Sequence, residues 1–185
     1  SIMKPLIALL SIAILFTSCS QLTESRPEKI FTTIGLNSNT VNGDFVRIFK
    51  EIKGQGEAGR LHIIEGKEYK TTDSYEVYFK NRYSNFFDNY IENVKKLKVG
   101  KDDQKMVDKA LEMFTKANEV YAKDLLPIAK MMDEKKPDAE VDAAIIQLTE
   151  TKGEMLENLR ADVLDLSIPY AEKHGIEVKF LPSFK

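Results

Sequence analysis

Residues 73–98 read DSYEVYFKNRYSNFFDNYIENVKKLK, and this stretch decides the fold class. Phe79, Tyr83, Phe86, Tyr90, Val94 and Leu97 recur at steps of three and four. That spacing lines one stripe of a 3.6-residue helix and would scatter over both faces of a strand. Tyr75, Phe87 and Ile91 widen the stripe. Ser74 or Asp73 stands where an N-cap belongs, and Gly100 follows the last periodic residue. The spacing predicts one aromatic helix over about 73–98.

The same period continues downstream. Over 102–134 it runs through Val107, Leu111, Phe114, Tyr121, Leu125, Ile128 and Met132, behind Asp102 and Asp103. Pro127 falls inside the pattern, so a kink is expected there. Over 138–174 it runs through Val141, Ile145, Leu148, Met155, Leu159, Leu166 and Tyr170. Pro137-Asp138 starts this helix and Pro169 should kink it. His174-Gly175 closes it, with glycine at the left-handed C′ position. Short loops between these three helices imply antiparallel neighbours. Ile176, Val178 and Phe180 then alternate, as in an extended arm over a helix seam.

Residues 44–65 admit two readings. Behind Asp44 as N-cap, Phe45, Phe49, Ile52, Gly56, Gly59 and Ile63 form a coiled-coil-like seam. Two glycines on it would admit a close neighbour, at about 1 kcal/mol each in helix propensity. The competing reading is a strand, a glycine loop and a second strand. With the helix, residues 44–185 form an all-α domain. It is an antiparallel four-helix bundle with two long proline-kinked helices and an extended C-terminal arm. Residues 20–43 are polar and irregular, although Ile30, Phe31, Ile34 and Leu36 can touch the core.

Composition narrows the function classes. Lys and Arg number 27 against 29 Asp and Glu, for a net charge of −2, with the signs interleaved. Nothing makes the basic stripe that nucleic acid requires. Lys95, Lys96, Lys98 and Lys101 flank Gly100, where cations suit a helix C-terminus. The single cysteine excludes a disulfide framework, so stability must come from a packed core.

That cysteine closes a distinctive leader: Met3-Lys4, an apolar run from Leu6 to Phe16, then Thr17-Ser18-Cys19-Ser20. The run is eleven residues, whereas a membrane span needs about 20 and a secretory core about 7–15. This order resembles the signal peptide and lipobox of bacterial lipoproteins, here Phe16-Thr17-Ser18-Cys19, with Phe16 where Leu is commoner. The resemblance covers the leader alone. It implies a signal peptide over 1–18, and lipidation of Cys19 as the first residue of the mature protein. Residues 19–43 then become a tether, and the membrane a partner held through acyl chains. By analogy with the sorting of such lipoproteins, Ser20 after the cysteine favours the outer membrane. Each buried CH₂ contributes about 0.8 kcal/mol, so two or more chains anchor stably.

Candidate chemistry is sparse. Gly54-Gln55-Gly56-Glu57-Ala58-Gly59 matches G-x-G-x-x-G by letter. A dinucleotide site needs a buried parallel strand before it, and Arg47, Lys50, Glu51 and Lys53 exclude one. His62 and Glu65 could share a helix face, but zinc needs three or four ligands. His174 suits a helix end. Asp102-Asp103 and Glu150 with Glu154 fall where caps and solvated faces put them. No catalytic residue, metal or cofactor is expected. Tyr75, Tyr78, Phe79, Tyr83, Phe86, Phe87 and Tyr90 exceed what one narrow seam can hide. They are the candidate surface for a partner or ligand, with Met131-Met132 as an adaptable contact. The expected function is non-enzymatic binding of another cell-envelope protein. The alternative is carriage of a small apolar ligand or lipid in an aromatic-lined groove.

Overall fold

The computed structural model describes residues 24–179. They are mostly helical, with one two-stranded antiparallel sheet among the described residues. Cys19 and the end of the expected arm, including Phe180, lie outside the described residues.

The chain meets the core at Ile30, Phe31 and Ile34, as expected, but as helix and not as an irregular segment. Residues 27–40, assigned from sequence to a tether, form α1 (Pro27–Phe31) followed by a π-helical and a 3₁₀ turn. Ile30, Phe31 and Ile34 are buried against the C-terminal helix, whereas Leu36 faces solvent. Ser25 fixes the entry, donating its N–H to the Lys98 carbonyl at 2.8 Å. Its Oγ accepts from the Lys98 N–H at 3.0 Å. Hydrophobic residues at helical spacing overrode the polar surroundings.

Neither reading of 44–65 is complete. α2 (Phe45–Glu57) is helical, and the Asp44 side chain accepts from the Arg47 N–H as its N-cap. The helix stops in a Schellman turn, with Gly59 at φ 68°. Gly59 and Arg60 donate to the carbonyls of Gly56 and Gln55. The chain then turns extended: β1 (His62–Glu65) pairs with β2 (Glu68–Thr71). Gly66, at φ 64°, takes the first place of the two-residue loop, where a type II′ turn needs glycine. Ile63 therefore belongs to a strand and not to a helix seam.

The aromatic stretch is two helices, α3 (Tyr75–Tyr83) and α4 (Asp88–Lys95). The Asn118 side chain sits at the break. Its Oδ1 accepts from the Phe87 N–H at 3.2 Å and its Nδ2 donates to Asp88 at 2.9 Å. One continuous helix could not bury so wide a stripe on one neighbour. Split, α3 packs on the sixth and fifth helices, and α4 packs on the fifth.

That fifth helix, α5 (Gln104–Lys123), runs through the middle of the core. Ala110 and Ala117 are fully buried and let α4 and the C-terminal helix, residues 154–173, approach. At Pro127 the chain breaks between Lys123 and Leu126, where a simple kink was expected. α6 (Leu126–Asp133) restarts with Pro127 in its first turn. There the missing N–H costs nothing, and the ring escapes the carbonyl of Lys123. From Asp138 to Lys173 the chain stays helical: α7 (Asp138–Leu148), a π-helical stretch at 149–153, and α8 (Glu154–Lys173). Pro169 lies inside α8 and leaves the Asp165 carbonyl without its helical donor. Gly175, at φ 68°, closes α8 as expected.

Tyr121 ties the loop before α2 to α5. Its hydroxyl donates to the Asn42 carbonyl at 2.6 Å and accepts from the Asn42 N–H at 3.1 Å. Its ring packs among Phe45, Tyr83, Phe86 and Phe87. Burial pushes the Tyr121 and Tyr83 hydroxyls above their ordinary range, and Tyr170 up to about 12. Unfolded tyrosines release protons near pH 10, before these native ones do. Stability is therefore fully present below about pH 10 and falls as pH rises toward the folded-state values. Urea unfolding from pH 8 to 11.5 should show that decline; a free energy flat to pH 11.5 would contradict it.

Candidate functional site

The structure divides the seven aromatic candidates. Phe79, Tyr83 and Phe87 are buried, which corrects their assignment to a partner or ligand surface. Tyr78 is buried as well but lines, with Phe86, a second pocket between the hairpin and α3. Phe79 stacks on Phe49 at 4.8 Å, and Phe87 meets Phe114 and Tyr121. They fill the core because α3 and α4 face different neighbours. Tyr75, Phe86 and Tyr90 are half-buried against that core.

Of these, Tyr75 opens onto a groove of about 710 Å³ between α2, α7 and the end of α6. Phe49, Val141 and Ile145 form the buried floor. Val46 on α2 and Ile146 on α7 are 46% and 48% exposed. Met132 completes the apolar lining, from the methionine pair noted in the sequence. Lys50, Lys53, Lys135, Lys136, Glu57, Asp138 and Asp142 ring it. Only Lys53 of these cations is paired among the described residues, with Asp138 at 3.2 Å. That hydrogen bond and charge raise the Lys53 ammonium above its ordinary range.

Local chemistry builds each wall. Asp133, the last residue of α6, would be disfavoured there by the helix dipole. It instead caps the start of α3. Oδ1 accepts from the Tyr75 N–H at 2.7 Å; Oδ2 accepts from the Glu76 N–H at 3.0 Å and the Ser74 hydroxyl at 2.7 Å. Ser74 in turn caps Val77. The Tyr75 ring lies on Gly56, where an added Cβ would stand 2.3 Å from the hydroxyl oxygen. Of the three glycines in the dinucleotide-like string, one thus makes room for Tyr75 and one ends α2.

The α6 end carries the one left-handed non-glycine residue described, Lys135 at φ 53°. Lys135 and Lys136 donate to the carbonyls of Met132 and Met131, so lysine holds the C′ place of a Schellman turn. The left-handed conformation costs a side chain about 1–2 kcal/mol. Lys135→Gly should therefore raise stability by about 0.5–1 kcal/mol, after the glycine's unfolded-state entropy is counted. Thermal unfolding with an unchanged or lower Tm would contradict this.

Sequence periodicity missed Val46 and Ile146. The available signal was the doublet: Phe45-Val46 and Ile145-Ile146 are adjacent apolar pairs of which a helix stripe buries one. The histidines do not meet. His62 stacks on Tyr69 across the hairpin, and His174 lies against Tyr170 at the end of α8. Among the described residues, no group of three or more His, Cys, Asp or Glu could hold a metal ion. None of their helices is long and apolar enough to cross a membrane. Comparison with protein-family models, with curated proteins and with solved structures gave no match.

Proposed function

We propose that the chain is a lipid-anchored protein of the cell envelope, acylated at Cys19, whose helical domain binds another envelope protein and catalyses no reaction. Anchoring at the outer membrane rests on the leader, the lipobox-like Phe16-Thr17-Ser18-Cys19 and Ser20. In this reading α2, the α3–α4 pair, the α5–α6 pair and the continuous α7–α8 helix, packed as α2 on α7, α3 on α6, α4 on α5 and α5 on α8, form the antiparallel four-helix bundle expected from the periodicity.

The observation that carries the binding role is the groove, with Val46 and Ile146 left exposed on two facing helices. Its rim decides the occupant. Lys50, Lys135 and Lys136 have no ion pair among the described residues and stand beside Glu57 and Asp142. A mixed-sign rim around an apolar floor suits an amphipathic helix with acidic residues along one flank. The volume and the aromatic pair Phe49 and Tyr75 also favour the second reading, an apolar ligand, since small-molecule sites span about 300–1,000 Å³.

Val46→Asp combined with Ile146→Asp tests this. Both residues face solvent, so folding and Tm should hold. Two carboxylates in an apolar contact should weaken partner binding about 100-fold, as loss of a central anchor does. Unaltered partner recovery would reject the groove. An adduct of lipid mass in native spectra, lost in the variant, would select the carrier reading. Fractionation of Cys19→Ala tests the anchor: full retention with membranes would reject it.

A further inference from the structure

A second pocket, of about 550 Å³, opens between the hairpin and α3 and shares no residue with the groove. The register pairs His62 with Thr71 and Ile64 with Tyr69. His62, Ile64 and Tyr69 therefore project from one face of the hairpin, while Ile63 enters the core on the other. The His62 and Tyr69 rings stack at 4.8 Å with 13° between planes. Ile64 and Tyr69 are 61% and 69% exposed, unusual for cross-strand apolar partners beside a buried Ile63.

Asn81 of α3 fixes this face. Its Oδ1 accepts from the Ile64 N–H at 3.0 Å, and its Nδ2 donates to the Ile64 carbonyl at 2.7 Å. The amide thus takes the place of a third strand on the free edge. Arg82 follows on the same helix, with its guanidinium carbon 5.5 Å from the Tyr83 ring centroid. Arg60 lines the pocket from the end of the α2 turn. Neither arginine has an ion-pair partner among the described residues, and no Asp or Glu lines the pocket. Two guanidinium forks without a carboxylate partner, beside aromatic walls, are a donor set for a phosphate oxyanion attached to an apolar body.

We propose that this pocket binds a ligand carrying a phosphate group on an apolar or planar body. The phosphate accepts from Arg60 and Arg82, and the body rests on the Tyr69–His62 stack. The same chemistry exists in a phospholipid headgroup region and in a soluble phosphorylated ring compound.

Calorimetric titration of the full chain in non-ionic detergent with phenyl phosphate tests the proposal. Saturable binding is expected, tighter than for inorganic phosphate. Arg60→Gln and Arg82→Gln should each weaken it at least about tenfold, as loss of a charge-assisted pair does. Tyr69→Ala should weaken phenyl phosphate and leave inorganic phosphate unchanged. All three residues are exposed, so the variants should keep the wild-type Tm. The exposed Lys116→Gln is the charge control and should change nothing. Binding of Cys19→Ala chain to phosphatidylglycerol vesicles, lost in the double arginine variant, would identify a headgroup as the source. Phenyl phosphate binding without vesicle binding would identify a soluble compound. The proposal fails if phenyl phosphate does not saturate, or if the double arginine variant binds it equally.

Discussion

Gly153→Ala is expected to lower the unfolding free energy by about 3 kcal/mol, the upper range for overpacking a tight contact. A Cβ on Gly153 would stand 2.3 Å from the Gly43 carbonyl oxygen; one on Gly43 would stand 2.2 Å from the Gly153 oxygen. Both obstacles are backbone, so no rotamer change relieves them. The π-helical stretch at 149–153 ends at this contact. Thr149 and Thr151 hydroxyls there donate to the carbonyls of Ile145 and Gln147 at 2.8 Å. Beyond it, the Gly43 N–H donates to Glu157 at 2.8 Å. The contact seats the start of α2 against the α7–α8 helix, and thereby the two walls of the groove. A chain of this size should lose about 6–12 °C in Tm, and Gly43→Ala should do the same. Gly54→Ala is the counter-case. Nothing lies within 4 Å of its added Cβ, and its backbone is helical. It should gain up to about 1 kcal/mol. Equal gains at Gly54 and Gly153 would show that helix propensity, and not close approach, governs these positions.

Asp133→Ala is expected to cost about 2 kcal/mol, because three donors at the head of α3 lose one carboxylate. Tyr75 N–H, Glu76 N–H and the Ser74 hydroxyl all converge on it. Water reaches Glu76 more easily than the part-buried Tyr75, which keeps the cost below that of a sealed network. Asp133→Asn should fall between, since its one oxygen can still accept. Ser74→Ala in the Asp133→Ala background should cost less than in wild type, as members of one network do. Denaturant unfolding of the wild type and the three variants of that cycle checks the coupling. Additive losses would mean that Ser74 acts only as the cap of Val77.

The aromatic stretch made the helical class legible, and the caps at Asp44 and Ser74 and the stop at Gly175 followed from local rules. What periodicity hid was interruption. The run from Phe79 to Leu97 keeps its three-and-four spacing across residues 84–87, so nothing local marks the break. The cause is Asn118, about thirty residues away, bonding to Phe87 and Asp88. The hairpin failed for a different reason. The 4-3 spacing sets Gly59 on a helix seam, although its positive φ makes it a stop signal. The polarity of residues 27–40 hides their helix, although the core contact of Ile30, Phe31 and Ile34 is legible in their spacing and α8 covers them. Of the seven aromatic candidates, Tyr75 lines the groove, Tyr78 and Phe86 line the second pocket, and Phe79, Tyr83 and Phe87 fill the core. An aromatic stripe reports a core and says little about which ring remains exposed.

Photocrosslinking in cells, from a reactive side chain placed at Ile146 of the anchored chain, tests the central claim most directly. A probe at the exposed Lys116 on α5 is the comparison. The account predicts one adduct from Ile146, absent from Lys116 and abolished by Val46→Asp. Its crosslinked peptide should be an amphipathic segment of an envelope protein with acidic residues on one flank. Equal adducts from both positions, or an adduct from Ile146 that survives Val46→Asp, would contradict it.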